Sequence, residues 1–134
     1  MARMNLGMAF IQVQDFASAV PEFEKVVAKL PRSDQARLVL ANAYTHTGRA
    51  AEAIKQYNQV LETSPDDFVA NLLLGRLLVL SGDAAAAVPK LKKAAALQPK
   101  SPEPHLILSN AYLKLGRDTD AAQEQFEAKR LAGH

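Results

Sequence analysis

Apolar residues recur along the chain with the spacing of helices that bury one face. Leu40 and Tyr44 are four residues apart, as are Leu74 and Leu78, so that both members of each pair lie on one side of a helix. Glycines and prolines separate the segments that show this spacing. The pattern predicts helices over 2–14, 17–30, 34–47, 50–63, 68–81, 84–97, 102–115 and 118–131.

The same pattern returns every 34 residues. Pro31, Pro65 and Pro99 mark the period, and other positions follow it in unbroken register. The series are Leu6, Leu40, Leu74 and Leu108; Ala19, Ala53, Ala87 and Ala121; and Gly48, Gly82 and Gly116. Each glycine provides a left-handed stop after a first helix, and each proline follows a second helix. We therefore predict one all-α domain over 1–134, made of helix pairs 1–33, 34–67, 68–101 and 102–134.

The order of residues within a unit resembles the tetratricopeptide repeat, a helix-turn-helix family. The second unit fits best, through Leu40, Ala41, Tyr44, Gly48, Ala53, Tyr57 and Pro65. Three units depart from the family pattern, with Val26 in place of alanine, leucines in place of both aromatics in unit three, and Gln125 in place of the last aromatic. The resemblance implies an α-solenoid, a right-handed superhelix whose first helices line a concave groove.

Helical geometry selects the faces of the first helices that packing within a unit does not use. The candidate partner-binding residues in this groove are Met4, Met8, Ile11, Leu38, Asn42, His46, Leu72, Arg76, Val79, Leu106, Asn110, Leu113 and Lys114. More than half of the face is apolar, and an exposed apolar strip is typical of a contact surface. The alternative is that neighbouring helices partly bury these side chains.

Three polar residues occupy one repeat position and form a predicted polar ladder, Asn42, Arg76 and Asn110. Such a ladder can hydrogen-bond the backbone or a carboxylate of a bound segment. Asparagine is common in the family at this place, whereas Arg76 departs from it and is the strongest single candidate. His46 and Lys114 flank the ladder at a second equivalent position.

Composition and charge exclude several classes of function. The chain has 134 residues, of which 49% are hydrophobic, with 16 basic and 14 acidic side chains and no cysteine. Disulfides and thiolate chemistry are therefore excluded, and the net charge of +2 predicts no general attraction to nucleic acid. The densest basic run is Lys90, Lys92 and Lys93, on a second helix. The apolar runs are too short to cross a membrane.

No set of residues predicts catalysis, a metal site or a cofactor. His46, His105 and His134 are separated along the repeats, and Ser109 falls at a small core position, so it is not expected to act as a nucleophile. The sequence predicts a non-enzymatic scaffold that binds a peptide or helix of a partner protein in the groove.

Two alternatives stay open: a structural part of a longer repeat scaffold or self-associating module, and binding of an acidic partner or RNA through the basic face. A cytoplasmic localisation is expected if the chain is complete, and a periplasmic or other localisation if it is a piece of a longer protein.

Overall fold

The structure is a computed structural model that describes the backbone of residues 2–133 and the side chains of residues 5–133. In this part of the chain eight helices and no strands are present. They are α1 (Ala2–Gln12), α2 (Phe16–Lys29), α3 (Asp34–His46), α4 (Ala50–Thr63), α5 (Phe68–Leu80), α6 (Ala84–Leu97), α7 (Glu103–Lys114) and α8 (Asp118–Ala132). The predicted all-α fold is confirmed, and the predicted helix ends are correct to within two residues.

Short polar side chains start four of these helices. Asp15, Ser33, Asp67 and Asp83 each accept a hydrogen bond from the backbone amide three residues later, at 2.9–3.3 Å. Such a cap satisfies an amide that has no partner inside the helix, and is worth about 1 kcal/mol.

A left-handed residue ends each first helix. Gly48, Gly82 and Gly116 have φ of 78°, 90° and 72°, and the equivalent residue after α1 is Gln14, with φ of 61°. The conformation lets the next amide turn back onto the helix, as in the 2.8 Å bond from the Arg49 amide to the Tyr44 carbonyl. Only glycine adopts this conformation without steric cost, so Gln14 is a strained member of the series.

The chain forms two compact units, Met1–Thr63 with α1 to α4 and Ser64–His134 with α5 to α8. The division falls at the end of α4, close to the predicted boundary between repeats two and three. The single four-repeat domain stays a prediction.

Small residues let the two helices of a pair approach closely. Ala19, Ala53, Ala87 and Ala121 are all buried. At Gly75 the approach is closer still, because a Cβ atom built there would lie 2.6 Å from Cγ and Cδ2 of Leu91 on the facing helix. Leu91 itself is fully buried. The small residues at these two repeat positions are therefore required by the close packing of the helices.

Candidate functional site

The first helices of the second unit show which predicted groove residues face solvent. On α5, Val69, Arg76 and Leu80 are exposed, whereas Leu72 and Val79 are buried at 5% and 4% exposure. Leu72 and Val79 belong to one core cluster with Ile107 and Tyr112 of α7. The expectation that Leu72 and Val79 lie on an open face was wrong, because α7 packs beside α5 and covers them.

The equivalent leucines of α7 are not covered. Leu106 and Leu113 occupy the repeat positions of Leu72 and Val79, and each is 50% exposed. The open side of α7 therefore presents apolar surface at places where α5 presents none.

The polar groove residues of this unit remain accessible. The Arg76 side chain is 45% exposed, and its Nη1 atom is 4.0 Å from Oε2 of Glu103, which makes a weak surface ion pair. Asn110 on α7 is exposed. The Nζ atom of Lys114 donates to the Val79 carbonyl at 3.0 Å, so this lysine joins α7 to the end of α5.

The first unit places its candidates less uniformly. Met8 is 38% exposed, while Ile11, Leu38 and Asn42 are half-buried. His46 is exposed and stacks on Phe16, with ring centroids 4.0 Å apart and an interplanar angle of 13°. Its Nδ1 atom is 2.9 Å from the Asn42 carbonyl oxygen. The side chain of Met4 lies outside the described residues.

A polar cluster around the buried Tyr44 joins α2 to α3 and was not predicted from the sequence; its other two members, Glu24 and Arg49, are about two-fifths exposed. The Tyr44 hydroxyl donates to Oε2 of Glu24 at 2.6 Å, and the Arg49 guanidinium lies 4.6 Å from the centre of the Tyr44 ring. Burial, together with the hydrogen bond to Glu24, raises the pKa of Tyr44 well above its usual value of 10.0. A sequence signal existed, because Arg117 follows Tyr112 at the same spacing and lies 4.7 Å from its ring.

Asn71 is a second polar residue that sequence reasoning missed. It is buried at 3% exposure, and its Nδ2 atom donates to the carbonyls of Pro65 at 3.1 Å and Asp67 at 2.8 Å. These bonds fix the turn that leads into α5. Its role is structural.

The basic run on α6 is less available than its sequence suggests. Lys93 forms an ion pair with Asp66 at 2.8 Å, Lys90 is half-buried, and Lys92 is exposed. On α8, Arg130 lowers the pKa of Glu127 through their hydrogen bond. Acidic partners thus pair with basic residues of both α6 and α8.

Among the described residues, those considered for chemistry are not assembled into a reactive group; His134 lies outside the described residues. Ser109 is buried at 1% exposure, in agreement with its predicted core position, and its Oγ atom has no hydrogen-bond partner. His105 lies 3.0 Å from Glu124. Among the described residues no three His, Cys, Asp or Glu side chains come together as metal ligands. None of the helices in this part of the chain is both long and apolar enough to span a membrane.

Comparison with known structures shows the fold. Several solved structures of MamA are similar to this chain. MamA of MSR-1 aligns with a TM-score of 0.88 at 22% identity, over 98% of this chain and 75% of that one. Another MamA structure aligns with a TM-score of 0.91 at 18% identity, over 96% of this chain and 70% of that one. A MamA RS-1 double mutant aligns with a TM-score of 0.92 at 17% identity, over 97% of this chain and 73% of that one.

Sequence comparison identifies the family. No curated protein matches the chain. The family profile of the tetratricopeptide repeat, however, matches residues 10–77 and 78–126, which is most of the sequence. The helix pairs and the 34-residue period agree with that match. The chain is therefore a member of the tetratricopeptide repeat family.

Proposed function

We propose that this protein is a non-enzymatic interaction module that binds a segment of a partner protein on the exposed face of its first helices. Membership of a repeat family whose units present extended binding surfaces supports this function. The observation that carries it is Arg76, an exposed cation in a row of exposed apolar side chains on α5.

The row on α5 follows helical geometry. Val69, Arg76 and Leu80 are spaced by seven and four residues and therefore lie along one side of the helix. Val69 is 45% exposed and Leu80 69%. Apolar side chains exposed to this degree gain free energy when a partner covers them, at about 25 cal/mol per Å².

The chemistry of this row selects the partner. A guanidinium offers five hydrogen-bond donors that match a carboxylate, and the 4.0 Å pair with Glu103 leaves Arg76 able to exchange partners. Asn110, at the same repeat position on α7, offers both a donor and an acceptor to a bound backbone. The partner segment, a peptide or a helix, would combine apolar side chains with a carboxylate.

The first unit, taken by itself, has residues at the same repeat positions. Met8 and Asn42 share the place of Arg76, and His46 shares that of Leu80 and Lys114. Leu38 and Ile11 share the places of Leu72 and Val79, which packing covers in α5. We therefore assign the binding role first to Met8, Asn42 and His46 in this unit.

The test compares two charge reversals. A partner segment, identified by crosslinking and pull-down from the native cell, is titrated against Arg76→Glu and against Lys92→Glu, which reverses an exposed charge on the second helix of the same repeat. Arg76→Glu should weaken binding at least tenfold, or about 1.4 kcal/mol, while Lys92→Glu leaves it unchanged. Equal binding of the two variants would refute the assignment.

The choice of a second substitution depends on burial. Leu72→Ala would create a cavity in the core, at a cost of about 2–5 kcal/mol, and would confound loss of binding with loss of the fold. Leu80→Ala removes an exposed side chain and should preserve the thermal unfolding transition. Combined with Arg76→Glu it should abolish capture without unfolding the chain.

A further inference from the structure

One repeat position joins the first helix of a pair to the second helix through polar side chains. In the second repeat this residue is Arg37 of α3, whose Nη1 atom donates to Oε1 of Gln56 at 2.8 Å and to the side chain of Gln59. Its Nε atom also donates to the Pro31 carbonyl at 2.9 Å. The bonds hold α4 against the start of α3, and guanidinium and amide groups do not change charge near neutral pH.

The fourth repeat has titratable side chains in this contact. Two periods further along the chain, the three equivalent residues are His105, Glu124 and Glu127. The Nδ1 atom of His105 lies 3.0 Å from Oε1 of Glu124, so α7 and α8 keep the contact between first and second helix. Histidine is the side chain that ordinarily changes charge between about pH 5 and pH 8. The charge in this contact therefore depends on pH, whereas the charge in the contact of Arg37 does not.

The contact between His105 and Glu124 is shielded from solvent. The two side chains are 16% and 17% exposed. By contrast, the ion pair of Arg49 and Glu52 leaves more than two-fifths of each side chain exposed. Because water screens charges less where they are less exposed, a charge on His105 should interact more strongly with Glu124 than surface charges do with each other.

The charges of α8 near His105 are mainly acidic. Glu124 is in direct contact with His105. Glu127 follows one turn later, and its pKa is lowered first by the hydrogen bond from Arg130 and, to a smaller extent, by the charge of His105. A positive charge on His105 is thus attracted by two carboxylates of the facing helix.

The other helices packed on α7 offer no closer partner for His105. The charged residue of α5 is Arg76, which pairs with Glu103 at the start of α7. The charged residues of α6 are Lys90, Lys92 and Lys93. The hydrogen bond and the ion pair of His105 both go to Glu124. The start of α7 adds about half a positive charge, which opposes protonation but is smaller than the full charge of the Glu124 carboxylate in contact.

We propose that His105 makes the packing of α8 on α7 sensitive to pH, because protonation of its imidazole strengthens the contact with Glu124. The neutral ring can still donate a hydrogen bond from Nδ1, so loss of the proton weakens the contact without breaking it. The protonated ring adds the attraction between an imidazolium and a carboxylate. This attraction is complete at about pH 5–6, where histidine is protonated and glutamate is ionised, and is lost as the pH rises towards 8.

A double-mutant cycle in urea unfolding tests the proposal on the 134-residue chain. The variants are His105→Gln, Glu124→Gln and the combination of both, because glutamine is polar and does not titrate. The non-additive part of their effects measures the contact itself. Expressed as a ratio of unfolding equilibrium constants, it should be at least about threefold larger at about pH 5.5 than at about pH 8.5. Circular dichroism follows unfolding and confirms that each variant is folded.

The matched control is the same cycle at the equivalent contact of the second repeat, with Arg37→Gln and Gln56→Ala. Its coupling should be the same at both pH values, because neither group titrates in this range. A coupling between His105 and Glu124 that is equal at the two pH values, or larger at the higher one, overturns the proposal. An equally large pH dependence in the control cycle also overturns it, since the effect would then not arise from His105.

Discussion

Replacing Gly75 by alanine tests the closest helix approach in the second unit. The added Cβ would lie 2.6 Å from both Cγ and Cδ2 of Leu91. Carbon atoms attract best at about 3.5–4.0 Å, so the two helices or the Leu91 side chain must move by about 1 Å. Leu91 is fully buried within the core cluster of this unit.

Two effects oppose each other in this substitution. Alanine is favoured over glycine in a helix interior by about 1 kcal/mol, whereas overpacking a core costs about 1–3 kcal/mol. We expect the packing term to exceed the helix term, so that Gly75→Ala lowers the free energy of unfolding by about 1 kcal/mol. Urea unfolding followed by circular dichroism measures this change.

In the Leu91→Ala variant, Gly75→Ala should change the free energy of unfolding in the opposite direction. Leu91→Ala alone should destabilise by about 2–5 kcal/mol, because it leaves a cavity. With the leucine removed, Gly75→Ala meets no obstacle and should stabilise by about 1 kcal/mol. Lys92 lies at an exposed position inside α6. The difference in the free energy of unfolding between Lys92→Ala and Lys92→Gly therefore measures the helix preference of alanine over glycine by itself. If Gly75→Ala stabilises the wild type as much as that difference, close approach does not determine the residue at this position.

Four single substitutions, at Gln14, Gly48, Ser109 and Tyr44, give further predictions. Gln14→Gly should stabilise by about 0.5–1 kcal/mol in urea unfolding because it relieves a left-handed glutamine, and Gly48→Ala should have the opposite sign. Ser109→Ala should raise stability by about 1 kcal/mol, since a buried hydroxyl without a partner is removed; a loss would mean that the hydroxyl is bonded. The raised pKa of Tyr44 means that it keeps its proton in the folded state, while the tyrosine of the unfolded chain ionises near pH 10. The contribution of Tyr44 to the free energy of unfolding is therefore complete below pH 10.0 and falls as the pH rises further. The stability difference between wild type and Tyr44→Phe, which also loses the bond to Glu24, should therefore shrink between pH 9 and pH 11 and would contradict this reasoning if constant.

The sequence determines the fold closely because its signals are local. Helical spacing, the capping side chains before α2, α3, α5 and α6, and the glycines after α3, α5 and α7 act within a few residues of one another. The predicted helices were therefore correct to within two residues. The 34-residue repeat made the helix assignment more secure, because each unit shows the same register as the others.

The candidate site was less predictable because burial depends on neighbours. Leu72 and Leu106 occupy the same repeat position, yet one is 5% and the other 50% exposed. The sequence shows equal residues and does not show that α7 covers only the first. The cluster of Tyr44, Glu24 and Arg49 was missed for a related reason, since its members come from two different repeats.

Contacts inside each unit join helices that are adjacent in sequence, such as α1 to α2, α2 to α3 and α3 to α4. This gives the chain a low contact order, a property of proteins that fold in microseconds to milliseconds. A ribosome adds roughly 5–20 residues per second, so making residues 64–134 takes several seconds. Helices α1 to α4 have been synthesised before that time begins. The contacts of α1 with α2, of α2 with α3 and of α3 with α4 can thus form during translation, while residues 64–134 are still being made.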